Sequence, residues 1–223
     1  IILFSHLPRL AGWSFAEIAF FYGSANIAFA TSDMLVGHLD QFPATIRDGT
    51  FDLRLIRPAG SLFQVIASDL QLRRLGRVLQ GVVVMIYAVW NVGIDWTAPK
   101  ALMVPVMLVT GTVIYSSIWI AAITVTFFTV EARELANSFT YGGSFLASYP
   151  INIFGGWTRR FLAFVVPMAF VSYFPGLYIL GHADPLHAPR FLQFSAPLVA
   201  LITVLVAFRI WQFGVHHYQS TGS

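Results

Sequence analysis

The chain of 223 residues has no cysteine, which excludes disulfides, a thiol nucleophile and a cysteine-held metal. It has one lysine, Lys100, and what precedes it is Thr97-Ala98-Pro99 rather than a glycine-rich turn. A phosphate-binding loop needs that turn followed by Lys-Ser/Thr, so this sequence carries no nucleotide site of that kind. Charge is also scarce: 10% of the residues are Asp, Glu, Lys or Arg, against 57% apolar. At a mean hydropathy of +0.72, there is too little polar surface to clothe a water-soluble globule. No acid or base stands at the centre of an apolar run, which argues against a proton-coupled carrier.

What is present is a series of apolar runs, several of them reaching the roughly 20 residues that carry a helix across a bilayer. The expected fold is therefore all-α, a polytopic membrane protein. The opening "IILFSHLPRL" starts without Met in the middle of such a run, and we expect most of a first span to be missing before it. Ser14 and Glu17 have the spacing of a capping box, which predicts a span over Phe15 to Val36. The polar interval Gly37 to Arg77 holds six arginines, and the positive-inside rule assigns it to the cytoplasm. Leu75 to Val92 returns outward, "NVGIDWTAPK" turns, and Ala101 to Val130 goes back in. "EARELAN" makes a second cytoplasmic turn, and Phe191 to Phe213 is the last span. Between them, Phe161 to Leu180 is interrupted by Pro167 and Pro175. A re-entrant hairpin there keeps the last span ending inside; a full crossing reverses it. With the hairpin, eight basic residues face the cytoplasm and five (Arg9, Lys100, Arg159, Arg160, Arg190) face outward.

The scarce charge gathers in "RDGTFDLRLIRP", Arg47 to Pro58, with three arginines and two aspartates. Ahead of it Leu39, Phe42 and Ile46 form one apolar stripe at helical spacing. Gly49 occupies the place of a left-handed helix stop. Thr50 or Asp52 is expected to cap a second short helix, with Pro58 ending it. Gln64, Ser68, Gln71, Arg74 and Arg77 then predict an amphipathic helix running into the next span, with Asp69 and Arg73 as an i,i+4 pair and Arg77 reaching the headgroups. An arginine loop held by anionic lipid is one reading of this segment. Interleaved aspartates and a fixed bend suit docking to a protein better.

Residues 46–58 resemble the signature of a subgroup of ABC-2-type exporter permeases, an I-x-x-G-x-x-D-x-x-L-x-R-P-like stretch. The match falls on Ile46, Gly49, Asp52, Leu55, Arg57 and Pro58. "AGWS" at Ala11 to Ser14, Trp157 to Pro175 and the ending "YQSTGS" agree with the same subgroup. The resemblance implies one permease domain over 1–223, an ABC-2-type six-helix transmembrane domain with its first helix truncated. It implies a second permease, identical or paralogous, and ATP-binding subunits that carry the ATP and Mg. This chain would then be a transport subunit with no cofactor and no catalytic residue of its own, in a bacterial inner membrane. Its apolar spans would suit an amphipathic or hydrophobic substrate. Segment 37–77 would be the cytoplasmic coupling helix region, with Arg47, Asp48, Asp52, Arg54 and Arg57 as contacts and Gly49 and Pro58 holding the bend. Glu131, Arg133 and Glu134 would add a second contact. An outer re-entrant hairpin, 155–180, would cap the exit.

Other groupings say less. His182, Asp184 and His187 have metal-binding side chains, but Pro185 and Pro189 deny them a shared helical face, so no metal is expected. Asn26, Thr112, Tyr115 and Ser116 are polar positions within spans, read either as helix–helix packing or as a substrate path. The rival functions are a membrane scaffold that recruits a cytoplasmic partner and an intramembrane enzyme. The second lacks buried catalytic groups. Membrane lipid is an expected partner and nucleic acid is not.

Overall fold

The computed structural model describes residues 12–129, 141–161, 163 and 166–218. Among these the chain is helical, with no strand. Helix α1 (Phe15–Val36) starts at a complete capping box: the Ser14 N–H donates to Glu17 Oε2 at 2.7 Å, and the Glu17 N–H donates to Ser14 Oγ. Polar Glu17, Asn26 and Asp33 lower its hydropathy, yet most of its residues are buried. A helix covered on nearly all sides belongs at the centre of a bundle, not at its lipid face. Small residues make that possible. A Cβ on Gly23 would lie 3.0 Å from the Met85 backbone, and one on Gly81 would lie 2.8 Å from the Ile27 side chain. Backbone-to-backbone approach of this kind is how helices associate where water is absent.

The neighbours of α1 are α5 (Leu75–Val92) and α6 (Ala98–Ile123), and α9 (Ala196–His216) packs on α6. Among the described residues three helical stretches are long and apolar enough to cross a membrane, Leu72–Val92, Ala98–Phe127 and Ala196–His216. Leu79, Val83, Leu198, Leu201 and Leu205 point outward from α5 and α9, as side chains facing lipid do. After α6 the chain tightens into a 3-10 turn, Thr124–Phe127.

Short helices fill the two ends of this bundle. After α1 come a 3-10 turn, Gly37–Gln41, then α2 (Phe42–Arg47), α3 (Asp52–Leu55) and α4 (Ser61–Ile66). At the opposite end lie α7 (Gly156–Arg160) and α8 (Tyr173–Leu180). Trp13 donates its indole N–H to Asn152 at 2.9 Å, and His182 bonds Glu17. Asn152 and His182 therefore both sit at the start of α1, so the segment between them begins and ends at one end of the bundle. Its apolar helical part, Met168–Leu180, falls short of the ~20 residues of a crossing.

The expected amphipathic helix into α5 is interrupted. Helix α4 stops at Ile66, and residues 67–71 turn before the 3-10 segment Leu72–Arg74. The Gln71 N–H donates to Met34 O, at the end of α1, and Ser68 Oγ bonds Val65 O. These bonds replace the helical ones, and no Asp69–Arg73 ion pair forms among the described residues. Thr50 does not cap α3 either: its hydroxyl donates back to Thr45 O.

Candidate functional site: a charged platform fixed to the span ends

The elements from Gly37 to Ile66 form a platform across one end of the bundle. Its shape begins at Gly49, whose φ of +65° is the left-handed conformation that ends α2 and reverses the chain at little cost for glycine. The predicted stripe of Leu39, Phe42 and Ile46 is buried, and Phe51, just beyond the bend, joins it at 0% exposure. These side chains meet the ends of two spans. Phe42 and Phe51 pack on Phe127 at centroid distances of 5.4 and 5.3 Å, and Phe42 packs on Trp211 at 5.2 Å. Tyr218 closes the cluster on Phe51 at 5.2 Å. Of these pairs Phe42–Phe127 and Phe51–Tyr218 meet edge to face, and such pairs add about 0.5–1.5 kcal/mol each beyond area burial.

Polar bonds pin the same contacts. Trp119 of α6 donates to Asp40 Oδ1 at 3.0 Å, and Trp211 of α9 donates to Ser61 Oγ at 3.1 Å. Within the platform the Gln64 amide donates to Arg54 O, and His38 Nε2 bonds Val65 O. At the root of the platform Asp33, with a side chain 0% exposed, pairs with both Arg74 and Arg77. Gly37 lies against this pair, where a Cβ would strike the Asp33 carboxylate and the Arg74 guanidinium. Arg77, expected among the headgroups, is half committed to Asp33 instead, at 3.1 Å.

The opposite face of the platform is open. Arg47, Asp48, Arg57 and Pro58 are exposed, while Gly49, Asp52 and Arg54 are half-buried. Leu53 and Ile56 stand out beside the charges, Ile56 at 81% exposure. Charged groups around exposed aliphatic side chains make a surface suited to protein docking, more apolar than arginine spacing alone suggests. The aromatic cluster and the Asp33 pair went unrecognised in the sequence. Their signal was an excess of Phe, Trp and Tyr at span ends, which headgroup anchoring also explains.

A bundle of apolar helices with a folded, charged platform fixed to its span ends fits an all-helical polytopic membrane protein. The family model described as ABC-2 family transporter protein matches residues 1–222. The chain belongs to the ABC-2 transporter family. Neither a curated protein nor a solved structure matches it. As an ABC-2 permease it is a multi-pass membrane subunit of a transporter, the part that spans the bilayer. Glu131, Arg133 and Glu134, the second contact expected from the sequence, lie outside the described residues.

The four candidate path residues of this ABC-2 permease do not converge. Thr112 Oγ1 bonds back to Leu108 O, and Ser116 Oγ shares a 2.9 Å bond with Ser32 of α1. Asn26 is half-buried, and Tyr115 is fully buried against Phe29. None of them lines the apolar groove of about 610 Å³ between α6, α9 and the residues Ala163, Val166, Pro167 and Phe170. The Tyr115 hydroxyl has no hydrogen-bond partner among the described residues, and an unmade buried bond costs about 1–3 kcal/mol. Tyr115→Phe is therefore expected to leave the melting temperature in detergent unchanged or higher. A fall in transport at constant melting temperature would instead assign that hydroxyl to the substrate path.

Proposed function

We propose that this chain is the permease half of an ATP-driven exporter in a bacterial inner membrane, with the platform facing the cytoplasm and docking on a separate ATP-binding subunit. In this reading a second permease, identical or related, completes the pathway, and ATP and Mg are held by the ATP-binding partners. The observation that carries the proposal is the two-sidedness of the platform. Its outer face offers Arg47, Asp48, Arg57 and Ile56 to a partner, and its inner face is bonded to α6, α9 and the junction of α1 with α5. Force applied at the open face has no slack to take up before it reaches the spans. Closure of the ATP-binding dimer would then tilt those spans, and the re-entrant segment at the opposite end would cap the exit for an amphipathic or hydrophobic substrate.

Family membership favours the docking reading of the charged stretch over a lipid-held loop. So does the exposure of Ile56 and Leu53, which add apolar surface that anionic headgroups do not reward. The test is charge reversal at the open face. Arg57→Glu is expected to lower permease-stimulated ATP hydrolysis by about tenfold, the worth of roughly 1.4 kcal/mol at one docking contact. Membrane insertion and melting temperature should not change, because Arg57 is exposed. Unaltered stimulation would remove the platform from the coupling route.

A further inference from the structure

At the end of the bundle opposite the platform, a basin of about 730 Å³ lies between the start of α6, the end of α8 and the loop before α9. The only lysine, Lys100, lines it, together with His182, His187 and Arg190. Its acidic lining residue is Asp184, and that carboxylate is already engaged. It accepts from the Tyr173 hydroxyl at 2.7 Å, from the Leu186 N–H at 3.0 Å and from the Ala188 N–H at 3.1 Å. Glu17 lies behind the basin and binds His182. Lys100 and Arg190 form no ion pair among the described residues, so two fixed positive charges remain on the rim.

The loop that carries this rim is held in an unusual shape. His187 has φ of +54°, a conformation that side-chain-bearing residues seldom take. The backbone bond from His187 N–H to Asp184 O and the two loop N–H groups on the Asp184 carboxylate enforce it. Below the rim the wall is apolar: Leu177, Tyr178 and Phe194 line it, the last two packed edge to face at 4.7 Å. A ligand that satisfies both parts has an anionic head and an apolar tail, and the volume is of the size that holds one head group with the start of a chain.

We infer that this outer basin binds the phosphate head of an acidic amphiphile, with Lys100 and Arg190 on the phosphate and Leu177, Tyr178 and Phe194 along the adjoining chain. The inference needs no ATP-binding partner and stands apart from the coupling proposal. The test uses full-length protein in detergent, with fluorescent phosphatidylglycerol and phosphatidylcholine as probes and inorganic phosphate as competitor. Wild type is expected to prefer phosphatidylglycerol, and Lys100→Gln/Arg190→Gln to reduce that preference about tenfold, as two lost phosphate contacts would. Arg159→Gln/Arg160→Gln, cations outside the basin lining, should keep it. Failure of millimolar phosphate to compete marks a lipid site, and full competition marks a site for the phosphate group alone; both support the anion assignment. An unchanged preference in the Lys100/Arg190 variant, with an unchanged melting temperature, overturns it. A variant that melts early is replaced by Lys100→Arg/Arg190→Lys, which must retain the preference if the charges carry it.

Discussion

Asp33→Ala is expected to destabilise the protein by about 3–5 kcal/mol, the cost of leaving a buried charge without its partner. The Asp33 carboxylate is wholly buried, and the Arg74 side chain beside it is only 17% exposed. Removing the acid strands that guanidinium against Gly37 and the end of α1. Arg77, the second partner, is 59% exposed and can turn to water. Arg77→Gln should therefore cost less than about 1 kcal/mol, as exposed pairs do. Asp33→Asn keeps the volume without the charge and should fall between the two. Denaturation in mixed detergent, followed by tryptophan fluorescence, ranks the three. Equal shifts for Asp33→Ala and Arg77→Gln would mean that Arg74 is not held by Asp33. Because the pair joins the exit of α1 to the entry of α5, its loss should also free the platform from both helices. Any surviving Asp33→Ala protein is then expected to insert into membranes but to respond weakly to the ATP-binding partner.

The parts of this architecture that were legible in the sequence are those set by neighbours in the chain. The Ser14–Glu17 box needs only a spacing of three, and the left-handed stop at Gly49 needs only a residue without a Cβ at the end of a short stripe. The buried faces of Leu39, Phe42 and Ile46 follow from helical periodicity. The contacts that make the platform rigid are of another kind. Asp33 and Arg77 are 44 positions apart, and Trp119 reaches Asp40 across 79. Nothing local marks these pairs, and an arginine near a span end reads as a headgroup anchor until its carboxylate is seen. The same blindness produced the one continuous helix expected through residues 64–77. Its periodicity was real, but the Gln71 N–H found a better-placed acceptor at Met34 O, and tertiary bonding overrode local preference. Polar residues inside spans stayed open to two readings for a related reason: Thr112 and Ser116 bond within and between helices, and hydroxyl content alone does not separate packing from a path.

Phe51→Ala separates the platform's rigidity from the stability of the spans. Phe51 is fully buried and touches Phe42, Phe127, Trp211 and Tyr218, yet it belongs to no span. Truncating a buried phenylalanine costs about 3–5 kcal/mol where the surroundings cannot collapse. Here the loss falls on the bend between α2 and α3, while Trp211 keeps Phe42 and Phe127 as partners. The expected result is a platform that opens locally, since a region's own contacts set its opening free energy. Trypsin should cut at Arg47 and Arg54 at least tenfold faster than in wild type, with the helices of the bundle still protected. Stimulated ATP hydrolysis should fall with it, even though every charge on the docking face is intact. Phe51→Leu, which refills most of the volume, should restore both. If Phe51→Ala loosens the segment and stimulation stays normal, docking does not require a rigid platform, and the route from partner to spans must run elsewhere. A loss of stimulation in Phe51→Ala matching that in Arg57→Glu would place the open face and the aromatic underside in one mechanical path: the charges take hold of the motor, and the ring cluster passes its movement to α6 and α9.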